Sequence, residues 1–151
     1  MPFLYVLLFL ASTSVHAWTL ISAGMKGFQV EEVTINFAST SCSNAGLNSD
    51  TLQSHTKEAI DKFWNKVSSG NLTLKMGGVI ATSVDGQTSS ASVAANLVAD
   101  NTILVGCNDD VTSFSNGFTG AVGSIVCNSA GVCRGAVIVN AHSASTLPTY
   151  N

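Results

Sequence analysis

Four cysteines are the residues whose number and spacing say most about chemistry, and they point to covalent cross-linking rather than catalysis. Cys127 and Cys133 flank Asn128, Ser129, Ala130, Gly131 and Val132, with β-rich segments on either side at residues 123–126 and 135–139. Opposed residues near the end of a hairpin come within the separation that a disulfide spans. Of the three connectivities open to four cysteines, this one leaves Cys42 for Cys107. A structural zinc knot competes for the same residues, but the spacing lacks paired C-x-x-C knuckles.

The other reactive side chains are dispersed. His16, His55 and His142 have no metal-ligand spacing. His55 stands beside the apolar stripe of a helix and reads as a partly buried structural histidine, while His142 lies in a polar turn and reads as solvated. Asp109 and Asp110, with Asp85 and Asp100 in other loops, offer carboxylates to calcium, although adjacent aspartates after a strand also make an ordinary turn. Asn71, Leu72 and Thr73 fit the glycosylation pattern. Nothing sets a nucleophile beside a base, and no loop cradles phosphate.

The elements that carry these residues follow from hydrophobic period. Val33, Ile35 and Phe37 alternate on one face, which predicts a strand, and a Ser-, Asn- and Gly-rich connection holding Cys42 follows it. Residues 50–67 form the clearest helix: Leu52, Ala59, Ile60, Phe63, Trp64 and Val67 fall on one stripe, and Lys57, Glu58, Asp61, Lys62 and Lys66 on the other face. Asp50 with Gln53 resembles a capping box, and Ser68, Ser69 and Gly70 end the helix. Residues 71–76 alternate as a second strand that runs through Gly77 and Gly78 into 79–81, so the flanking strands should be parallel. Residues 82–101 are either a surface excursion or hold a short helix near 93–98. A buried strand over 102–106 then leads to hairpin arms at 118–126 and 134–141. The expected fold is α+β (α/β-like): a twisted mixed sheet of about five strands, one long amphipathic helix packed on it, an antiparallel edge strand and a disulfide-closed C-terminal hairpin.

The chain has 151 residues and a net charge of −3. Residues 1–17 read as a signal peptide, with an apolar run over 3–11 and Val15, His16 and Ala17 before the cleavage point. That run is about half of the ~20 apolar residues a spanning helix needs. Residues 18–151 are then one domain, secreted or periplasmic, with no membrane contact after cleavage. The six basic residues, Lys26, Lys57, Lys62, Lys66, Lys75 and Arg134, are scattered and leave no nucleic-acid footprint.

Three stretches carry a family likeness: Lys26, Gly27 and Phe28 ahead of a Val33-to-Phe37 strand; a helix with Ala59, Ile60, Phe63, Trp64 and Asn65; and a closing strand from Cys133 and Arg134 to Asn140. In their order the chain resembles the upper, N-terminal part of the matrixin-like metzincin zinc metalloproteases of bacterial type. The resemblance implies a secreted zinc-dependent endopeptidase that acts on extended peptide or protein. It also implies zinc held by an H-E-x-x-H helix after the last strand, which should follow Asn151. No catalytic residue and no metal ligand is therefore assigned within the chain, which should be inactive by itself. In the family the edge strand pairs with peptide through its main chain, and the matching residues here are Gly120, Ala121, Val122, Gly123, Ser124, Ile125 and Val126. A secreted, non-catalytic binding or surface module is the alternative reading of the same sheet.

Overall fold

The computed structural model describes residues 27–39, 47–66, 72–108, 110–112, 114 and 120–141. The expected signal peptide, Lys26, Cys42, Val67 to Asn71, Asp109, Phe118 and His142 lie outside them.

The structure has five strands among the described residues: β1 Glu32–Ala38, β2 Thr73–Ile80, β3 Thr102–Asn108, β4 Ala121–Cys127 and β5 Cys133–Asn140; β1 alternates in burial, whereas β3 is buried continuously from Leu104. They form one sheet in the order β2-β1-β3-β5-β4, parallel throughout except for β4, which runs antiparallel to β5. The α+β class, the mixed five-stranded sheet and the antiparallel edge strand are as expected. Cys127 and Cys133 are register partners joined by a disulfide. Cys107 is fully buried and also disulfide-bonded, while its expected partner, Cys42, falls outside the described residues.

Two helices pack on opposite faces. Helix α1, Ser49–Lys62, lies on the face formed by Val33, Ile35 and Phe37 of β1, Leu74 of β2, and Val105 and Cys107 of β3, into which it buries Leu52 and Ile60. Helix α2, Ser90–Leu97, settles the open question over residues 82–101. It buries Val93 and Ala94 against Leu104, Ala136 and Ile138 on the other face. A valine contributes about 1.5–3 kcal/mol when fully buried, as Val93 is, so α2 is an integral layer despite its length.

Helix α1 departs from expectation at both ends. Asn48, not Asp50, is the N-cap, and its Oδ1 accepts from the Thr51 amide at 2.7 Å. Gln53 donates instead to the Ser49 carbonyl and hydroxyl. The helix stops at Lys62 rather than near 67, and Trp64–Lys66 form a separate 3-10 turn. Ala59 is exposed, and Phe63 and Trp64 are 70% and 42% exposed, so the apolar stripe is shorter than the sequence pattern implies.

The reason for the early stop lies in Asn65. Its Nδ2 donates to the Leu74 carbonyl at 2.9 Å, and its Oδ1 accepts from the Leu74 amide at 3.0 Å. A continuous helix points successive side chains by its own period and leaves no freedom to meet a strand main chain in this way. The 3-10 turn supplies the reorientation that makes both bonds.

Candidate functional site

Because β4 ends the sheet, one of its margins pairs with β5 and the other faces outward. Antiparallel ladders alternate between residues that bond across the pair and residues that turn their N–H and C=O away. Two bonds fix the phase at the ends of this hairpin. The Asn140 amide donates to the Gly120 carbonyl at 2.9 Å, and the Asn128 amide donates to the Val132 carbonyl at 3.0 Å. With the register Val122↔Ile138 and Ser124↔Ala136, the even-numbered residues of β4 bond to β5. Ala121, Gly123, Ile125 and Cys127 therefore present their main-chain groups outward. The Cα separation of 4.0 Å between Cys127 and Cys133 agrees, because non-bonded pairs have the shorter of the two spacings.

Side chains sort by the same parity. Val122 and Val126 pack on the α2 face, and Ser124 Oγ is hydrogen-bonded to Ser90 Oγ of α2 at 2.7 Å. Ala121, Gly123 and Ile125 belong to the α1 face with Val137 and Val139, where Ala121 and Gly123 are exposed. A cavity of about 340 Å³ opens at the start of this strip. Leu47, Leu52 and His55 line it from the start of α1, and Gly120, Ala121 and Val139 line it from the sheet. Leu52 and His55 meet there because residues three apart share one side of a helix.

Of the expected site residues, Gly120 to Val126 are thus brought together as one continuous edge. His55 is exposed at the cavity, a correction to its reading as a partly buried histidine, since α1 turns Leu52 and Ile60, not His55, into the core. The carboxylates do not converge. Asp100 is held before β3 by Arg134, whose Nε donates to it at 2.6 Å. Asp110, beyond the other end of β3, accepts from the Gly86 amide at 2.6 Å, and Asp85 accepts from the Ser83 hydroxyl. Among the described residues no three His, Cys, Asp or Glu side chains gather as a metal site.

Sequence reasoning missed Leu47, Leu52 and Val139 as contributors. Leu47 was read as loop, and Leu52 as core alone; the loop-to-helix boundary at Asn48 was the signal that would have placed them together. The carboxyl of exposed Glu58 is held below its ordinary value by the hydrogen bond and then the charge of Lys62. It lines no part of the cavity. No described helix is long and apolar enough to cross a membrane. Comparison with family models, with curated proteins and with solved structures finds no match.

Proposed function

We propose that the chain is the peptide-holding upper part of a secreted or periplasmic zinc-dependent endopeptidase of the matrixin-like metzincin type, and that β4 is the strand to which extended substrate adds. The observation that carries the binding half of this reading is the outward main chain of Ala121, Gly123 and Ile125 on an exposed sheet margin. Strand addition draws its affinity from such groups and its selectivity from the flanking side chains. The strand lacks charge, and among the described residues that line its cavity only His55 is titratable, so the complement is an uncharged segment.

Support for the enzyme half is the order β1, α1, β2, β3, antiparallel edge strand β4 and β5, which, α2 set aside, is the order of the family that the sequence resembles. Zinc chemistry does not fit the residues described here: His55 stands without a second ligand, and Cys107, Cys127 and Cys133 are in disulfides. No catalytic step is therefore assigned to them. Helix α2, which interrupts that order between β2 and β3, favours the second reading, a secreted binding module that uses the same edge without hydrolysis.

Ala121→Pro tests the binding half. Proline removes an N–H that points away from β5, so the ladder is kept and stability should change by less than about 1 kcal/mol. In an NMR titration with an end-blocked heptapeptide of alternating apolar residues, the wild-type amides of Ala121, Gly123 and Ile125 should shift, and the variant should bind at least tenfold more weakly. Equal binding by the variant, or shifts confined to other strands, would overturn the assignment. Reading the transcript past the Asn151 codon tests the enzyme half, with H-E-x-x-H expected within a few tens of codons and a stop codon without it counting against.

A further inference from the structure

The glycines inside the sheet are not equivalent. A Cβ on Gly77 would lie 2.1 Å from Asn36 Oδ1, on Gly106 2.9 Å from Val84 Cγ2, and on Gly135 2.9 Å from Ile103 Cγ1. At these three positions the packing itself demands glycine. Gly78 has open space, but it stands at the register shift between β1 and β2, where glycine serves the bulge. Gly123 has no such reason. A Cβ there would meet the Ala136 carbonyl oxygen at 3.6 Å and Val137 Cγ2 at 4.0 Å, which are ordinary contacts. Its φ also lies outside the range that side chains avoid.

Glycine in a strand interior weakens it relative to alanine, and it often marks a bulge, a tight bend or the close approach of a ligand or another backbone; the unbroken register at Gly123↔Val137 leaves no bulge here. Gly123 sits mid-strand on the open margin, exposed, and two residues along the same face from Ala121 at the cavity. The notch it leaves is floored by Val137 and flanked by Ala121 and Ile125.

We infer that Gly123 is a specificity-determining position: it admits a large uncharged side chain, aromatic or branched aliphatic, from an extended peptide added to β4. This rests on the strand-addition reading above and names the class of segment that it selects. An added strand sets its side chains at the pleat spacing of β4, so the residue opposite Gly123 lies over the bare notch on the α1 face. Its same-face neighbour reaches the cavity formed by Leu47, Leu52, Ala121 and Val139. Small residues at the first position would leave the notch unfilled.

The test compares Gly123→Val with wild type on two end-blocked heptapeptides that differ at one central residue, phenylalanine or alanine. The variant should fold with equal or higher Tm, because valine suits a strand and has room. Wild type should prefer the phenylalanine peptide by about tenfold or more, and the variant should lose that preference while it keeps the alanine peptide. Gly123→Ala, which adds one methyl, should fall between them and guards against misfolding of the valine form. A wild type that binds both peptides equally, or a variant that keeps the preference, overturns the inference while the strand-addition reading stands. Failure of wild type to bind either peptide overturns both.

Discussion

The two margins of this sheet face the same solvent and are treated in opposite ways. On β2 the outward N–H and C=O of Leu74 are both taken by the Asn65 side chain, Lys75 places a charge alongside in an ion pair with Glu32, and Gly77 and Gly78 lie at a register shift. Each is a known way to stop a further strand from adding. On β4 no described residue covers the outward groups of Ala121, Gly123 and Ile125 in this way, no charged side chain interrupts the strand, and a cavity lies beside it. Among the described residues, such cover is found on one margin alone. That contrast turns an exposed edge from an accident of topology into a candidate binding surface.

The largest effect should come from loosening the open margin. Replacing both Cys127 and Cys133 with serine removes the cross-link between strands six residues apart and should cost about 2–3 kcal/mol in urea unfolding. Hydrogen exchange should quicken in β4 and not in β2; equal quickening in both would mean that the disulfide supports the whole sheet rather than this edge. Next, Asn65→Ala should leave the Leu74 groups unpaired and cost about 1–3 kcal/mol. It should also make sedimentation concentration-dependent, and an unchanged monomer would show that β2 is protected by something other than Asn65. The smallest effect belongs to Lys75→Ala. Its ion pair with Glu32 is exposed, so stability should move by less than about 1 kcal/mol and the difference should vanish in high salt.

Much of this architecture was legible in the sequence, for reasons that also mark where legibility stopped. Val33, Ile35 and Phe37 alternate because one face of β1 is core, and the Cys127 and Cys133 spacing carries its own hairpin geometry. Helix α1 was read too long because Phe63 and Trp64 continue a helical period, and period cannot report whether a sheet still lies beneath. Asp50 and Asn48 are equally good caps by type, and only the approach of the Thr51 amide chooses between them. Helix α2 has no charged face to contrast with its buried Val93 and Ala94, so its segment read as either loop or helix. The open and closed margins were not legible at all. They depend on ladder phase and on one asparagine side chain that reaches a strand nine positions along.

The hairpin of β4 and β5 is local in the chain, whereas β5 meets β3 about thirty residues back, Ile103 beside Gly135, and β3 meets β1 at still greater separation, Ile35 beside Ile103. Hairpins form in microseconds, while pairings that must first close long spans are slow. In the order of formation that these separations predict, the β5 margin stays unpaired until β3 reaches it. Until it does, a second molecule competes for that margin, so refolding yield should fall as protein concentration rises.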